Sequence, residues 1–114
     1  MNLFPGDDAA NLLQCLQELK NENDWAFDYK LDRETDELQN VFWMTPEMLD
    51  NYKRYHDVII FDYTAKSNMF GMPLALICGI DKSGKTIVLA FALLKDEQGE
   101  SLTWLLEALK EATK

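Results

Sequence analysis

The sequence predicts an α+β domain: a helix and β-hairpin, a second helix, then a three-stranded antiparallel sheet followed by a helix. Three observations carry this. Leu12, Leu13, Leu16 and Leu19 recur at the spacing of one buried helical face. Trp25, Phe27, Tyr29 and Leu31 alternate with Ala26, Asp28 and Lys30, the period of a half-buried strand. MPLALICGI and TIVLAFALL are two apolar runs joined by DKSGK, whose Gly84 suits a hairpin turn.

The elements follow in order. Asp7 and Asp8 precede a first helix over about 7 to 22, which the polar NEND turn closes. WAFDYKL then forms a strand, DRETDE a turn, and Leu38 with Val41 to Met44 the returning strand of a hairpin. Thr45 followed by Pro46 starts a second helix, the hydroxyl capping it and the Pro ring fitting its first position. Met48, Leu49, Tyr52 and Tyr55 line one face of that helix, which ends near Tyr55 or His56. Val58, Ile59, Ile60 and Phe61 read as a buried strand, and Asp62 stands where another apolar side chain belongs. The two runs of the second hairpin come next. Gly99 and Glu100 lead into SLTWLLEALKEATK, where Leu102, Leu105, Leu106 and Leu109 make an apolar stripe.

A chain of 114 residues is one domain at most, and 47% hydrophobic with 11% aromatic residues excludes the disordered class. No apolar run is long enough to span a membrane, and the opening MNLFPGDDAA lacks the basic and apolar regions of a secretory signal, so the expected location is nuclear or cytoplasmic. Cys15 and Cys78 stand 63 positions apart without a CxxC or Cys/His cluster, which argues against a disulfide scaffold and a zinc site. Residues 1 to 57 carry 13 acidic and 5 basic side chains, residues 58 to 114 carry 7 and 6, so −8 and −1 make up the net −9. Proteins that grip a nucleic acid backbone usually cluster Lys and Arg, and no such cluster is visible along this chain.

The second half resembles the Mutator-like (MULE) transposase domain, the family that also gave rise to plant far-red-response transcription factors. The resemblance rests on DVIIFD with Thr64 two positions after Asp62, Asn68 and GMPL at 71 to 74, Gly79, LLKDE at 93 to 97 and ESLTWLLEAL at 100 to 109. NVFWMTPE resembles the segment that precedes the domain in that family. What the resemblance implies is an RNase H-like fold of the DDE transposase superfamily. Residues 1 to 56 would be an upstream helix, hairpin and helix, and 57 to 114 the first half of the catalytic domain. The parent activity would be DNA cleavage and strand transfer with Mg²⁺ or Mn²⁺, hard cations held by oxygen ligands. Asp62 occupies the position of the first catalytic carboxylate and metal ligand. The second Asp and final Glu of the family lie beyond Lys114, so the chain alone is expected to be inactive and to bind metal and DNA weakly or not at all. Tyr63 and Ala65 depart from the residues that relatives often carry. The alternative is a domesticated, non-catalytic module for protein interaction or transcriptional regulation.

Each candidate has an ordinary structural reading beside the functional one. Asp62 is either a strand-end carboxylate bonded by a neighbouring hydroxyl such as Thr64, or the first metal ligand. Glu100 is an auxiliary carboxylate near the metals, or an acid favoured by the helix dipole. Asp96 and Glu97 read as loop residues, His56 as a helix-end residue, and Trp25, Trp43 and Trp104 as core packing rather than base-stacking platforms. Lys66, Lys82 and Lys85 read as solvated turn residues, although the resemblance puts Lys66, with Asn68, on the DNA side. A strand over 58 to 64 without its fourth-strand neighbour exposes an edge, and open apolar edges recruit partners. The expectation is a homodimer or swapped assembly through that edge, or a repacking of the 25 to 44 hairpin against it.

Overall fold

The computed structural model describes residues 8–64 and 71–114. The elements run α1 (Asp8–Asn23), β1 (Ala26–Leu31), β2 (Leu38–Met44), α2 (Pro46–Tyr55), β3 (Ile60–Thr64), β4 (Leu74–Ile80), β5 (Thr86–Leu93) and α3 (Gly99–Thr113). Their order is the one that the spacing predicts.

Local chemistry fixes the boundaries. Asp24 adopts a left-handed φ of 61°, which ends α1 as a polar residue after a helix often does. The Met48 N–H donates to Thr45 Oγ1 at 3.1 Å, capping α2, and Pro46 sits in its first turn. In the β4–β5 turn, Asp81 Oδ1 accepts from the Ser83 N–H at 2.8 Å and the Lys85 N–H at 2.9 Å, while Gly84 takes a φ of 83°.

The strands form one antiparallel five-stranded sheet in the order β1-β2-β5-β4-β3. The β1–β2 hairpin therefore extends the three later strands through Val41↔Leu93, Phe42↔Ala92 and Trp43↔Phe91. This overturns the alternative in which the hairpin packs against strand 58 to 64. The ladder of β2 is satisfied by β5, at the opposite side of the sheet from β3.

One face of the sheet carries Phe42, Met44, Ala75, Ile77, Ala90 and Ala92, packed with Leu105, Ala108 and Leu109 of α3 and with Met48, Leu49 and Tyr52 of α2. Alternation puts Phe27, Val41, Leu93 and Leu74 on the other face, where Leu12, Leu13 and Leu16 of α1 cover them. A register shift between Ile77 and Cys78 makes Leu89 the extra residue of a bulge, and Leu89 joins the first core. Near the end of β4, a Cβ on Gly79 would stand 2.8 Å from the Tyr55 carbonyl oxygen and 2.9 Å from Leu89 Cδ1. Only glycine lets the end of α2 lie so close to β4.

Of the run at 58 to 61, only Ile59 packs against a core, and it is half-buried. Val58 is 52% exposed, Ile60 40% and Phe61 38%, and the paired strand begins only at Ile60. The reason is position, since β3 is the last strand and pairs with β4 alone among the described residues.

Candidate functional site

Asp62 lies in the middle of β3, opposite Leu76, and is exposed. Following the register across the sheet gives the row Phe27, Trp43, Phe91, Leu76, Asp62. Trp43 and Phe91 stack within it, their ring centroids 5.6 Å apart. The row runs from beneath α1 to β3, the edge strand among the described residues, and the carboxylate takes its last, solvated place. An ionised group at that point avoids the several kcal/mol, roughly, that burial of an unpaired charge costs.

The neighbours of Asp62 register its charge. Ile60 is opposite Cys78, so Cys78 is a diagonal neighbour on the same face, and the Cys78 thiol is pushed up by burial and then by the Asp62 carboxylate. Tyr63 points to the α3 face; burial first, then the charges of Glu97 and Asp96, raise its hydroxyl pKa. The loop after β5 thus brings two acids towards β3 from the face opposite Asp62.

Asp96 has local work to do. Its Oδ1 accepts from the Gln98 N–H at 3.0 Å and from Ser101 Oγ at 2.8 Å, tying the loop to the first turn of α3. Glu100 is exposed in that turn, and its Oε1 lies 3.9 Å from Lys30 Nζ on β1. The β1 and β3 edges are four strand spacings apart, about 19 Å. The structure does not bring Glu100 to Asp62.

The Thr64 side chain, Ala65, Lys66 and Asn68 lie outside the described residues. Lys82 and Lys85 are in the β4–β5 turn, at the end of the sheet away from Thr64. His56 Nδ1 lies 2.8 Å from the Tyr52 carbonyl oxygen and its ring stacks on Tyr52, a helix-end arrangement. Trp25, Trp43 and Trp104 are half-buried and pack against the two cores.

Asn40, which sequence reasoning passed over, is 1% exposed, and its Oδ1 accepts from the Lys95 N–H at 3.0 Å. That bond fixes the start of the loop carrying Asp96 and Glu97. The available clue was a polar residue in phase with Phe42 and Met44, on the side of the strand that the apolar residues mark as buried.

Among the described residues no group of three His, Cys, Asp or Glu side chains comes together to hold a metal ion. Asp62 offers a hard oxygen ligand suited to Mg²⁺ or Mn²⁺, but it is one ligand, and no metal-dependent step follows from it alone.

Comparison with known proteins gives a match between residues 16–114 and the family described as "Zinc finger SWIM domain-containing protein 1/3, RNaseH-like domain". Three Arabidopsis thaliana proteins are similar. Protein FAR1-RELATED SEQUENCE 6 is 36% identical over 110 residues, covering 94% of this chain and 15% of the relative. Protein FAR-RED IMPAIRED RESPONSE 1 is 34% identical over 101 residues, covering 88% of this chain and 12% of the relative. Putative protein FAR1-RELATED SEQUENCE 10 is 33% identical over 101 residues, covering 88% and 15%. The chain thus spans between 12% and 15% of the length of these relatives. No solved structure matches.

Proposed function

The chain belongs to the RNase H-like domain family described for zinc finger SWIM domain-containing protein 1/3, with far-red-response proteins among its relatives, and from that footing we propose that Asp62 is a metal-ligating carboxylate of a Mutator-like transposase site. The observation that carries this reading is the placement of Asp62, exposed on the edge strand β3 at the end of an otherwise apolar row. In the reading, DNA is the partner of the parent activity, and a pair of divalent ions supplies charge stabilisation for phosphodiester cleavage and transfer. Asp62 contributes one oxygen ligand, and the remaining ligands come from elsewhere in a larger assembly.

Fe²⁺-directed backbone cleavage tests the assignment. Ferrous ion with ascorbate and peroxide should cut the chain near Asp62 and its cross-strand neighbour Leu76, with protection by excess Mg²⁺ and loss of the cut in Asp62→Asn. Cleavage elsewhere, or an unchanged cut in Asp62→Asn, overturns it.

A second reading, a protein-interaction module, is favoured by the apolar exposure of Val58, Ile60 and Phe61 on that edge. Here a second copy of the chain pairs along β3. Light scattering over rising concentration should show a dimer that Phe61→Lys dissociates; a monomer throughout removes this reading.

A further inference from the structure

The sheet ends on β3 at one side and on β1 at the other, and among the described residues each pairs with one neighbour only. β1 offers another strand much apolar surface. Tyr29 is 43% exposed and stacks on Phe27 with ring centroids 5.5 Å apart. Beside this edge lies a hollow of about 360 Å³ with Ala26, Phe27, Phe42, Ala108 and Ala112 among its walls. Edges of this kind recruit strands unless something closes them.

The hairpin fixes which backbone groups of β1 look outward. The Asp32 N–H donates to the Glu37 carbonyl oxygen at 2.8 Å, so Asp32 faces β2. Lys30 is paired with Asn40 and Leu31 with Leu38, which makes Gln39 of β2 the extra residue and leaves the alternation of β1 unbroken. Counting back by twos, Lys30 and Asp28 also face β2, while Tyr29 turns its N–H and carbonyl away from the sheet. That outward N–H is already taken. It donates to Oδ1 of Asp28, the preceding residue, at 2.8 Å.

We propose that Asp28 closes the β1 edge, holding the Tyr29 N–H so that a second copy of this chain cannot add a strand there. An incoming strand must bring a carbonyl oxygen to the Tyr29 N–H, and it meets the Asp28 carboxylate oxygen in that place, acceptor against acceptor. The charge strengthens the block, because the bond is to an ionised group and the approaching edge finds a carboxylate rather than an apolar side chain. The consequence is directional. With β1 closed, pairing along β3 can give only a closed two-fold pair, whereas with both edges open β1 of one copy can meet β3 of the next without end. Asp28 thus limits how this chain associates, and the role does not depend on the metal reading of Asp62.

Light scattering of the 114-residue chain over rising concentration tests it. Asp28 is exposed, so Asp28→Ala leaves both cores intact. In a Phe61→Lys background, which removes pairing along β3, Asp28→Ala should raise the mass from one chain to two; with Phe61 retained the mass should climb past two. Asp28→Asn keeps an acceptor oxygen and should match the parent protein. Glu34→Ala, an equal loss of charge in the exposed β1–β2 turn, should match it as well. At dilution the Tyr29 amide of Asp28→Ala should exchange about fivefold faster relative to its intrinsic rate, as loss of one ordinary hydrogen bond implies. A mass unchanged by Asp28→Ala in both backgrounds, equal association of Asp28→Asn or Glu34→Ala, or unchanged exchange at Tyr29 would each overturn the proposal. Failure of β3 pairing reads differently: the parent protein stays at one chain, and Asp28→Ala still associates in the Phe61→Lys background.

Discussion

Replacing Gly79 by alanine inserts one methyl group between α2 and β4. That methyl would meet the Tyr55 carbonyl oxygen at 2.8 Å and Leu89 Cδ1 at 2.9 Å, both closer than real Cβ atoms approach. Leu89 can turn the end of its side chain, but the carbonyl is backbone, so the last turn of α2 must move. Overpacking of this kind costs about 1–3 kcal/mol. An unfolding entropy of about 2.1 cal/mol/K per residue over 114 residues is about 0.24 kcal/mol/K, so the melting temperature should fall by about 4–12 °C. Thermal unfolding followed by circular dichroism reads the change directly. Gly99→Ala is the control: no atom lies within 4 Å of the new Cβ, and alanine favours the helix it begins. A Gly79→Ala protein that melts with the wild type would refute the steric argument.

Three other outcomes follow from the same packing. Asn40→Leu should lose about 1–3 kcal/mol in urea unfolding, because the Lys95 N–H is left without its buried acceptor. The Asp32 carboxyl is held below its ordinary 3.8, chiefly by the Thr35 and then the Glu34 N–H; its stabilising contribution is therefore complete above that value and disappears as pH falls through the lower folded pKa, so Asp32→Asn should flatten the acid limb of the stability curve. Cys15 is exposed and Cys78 buried with a raised pKa, so iodoacetamide should modify Cys15 first, and Asp62→Asn should speed modification of Cys78 in the Cys15→Ser background.

Much of this architecture was legible because its determinants are local. The leucines of α1, the Thr45–Pro46 start of α2 and the DKSGK turn each fix an element from a few adjacent residues. Three features depend on distant partners and could not be read that way. Val41 to Trp43 meet Phe91 to Leu93 across some fifty residues, and nothing in either segment specifies that pairing over an independent hairpin. Val58, Ile60 and Phe61 have the composition of a buried strand, and their exposure follows only from the place of β3 in the strand order. Lys95 meets Asn40 for the same reason, because β2 and β5 are neighbours in the sheet. The resemblance singled out Asp62 by its position in a motif, while the register shows what that position means, a carboxylate at the wet end of an apolar row.

The central claim, that this edge carboxylate is a metal ligand, is tested most directly by Mn²⁺ paramagnetic broadening of the amide spectrum. The account predicts that signals from residues 61–63 of β3 and 75–77 of β4 broaden first as Mn²⁺ is added, with the weak affinity of a single ligand, an effect reversed by excess Mg²⁺ and absent in Asp62→Asn. Broadening centred on other acids, or unchanged in Asp62→Asn, would contradict it.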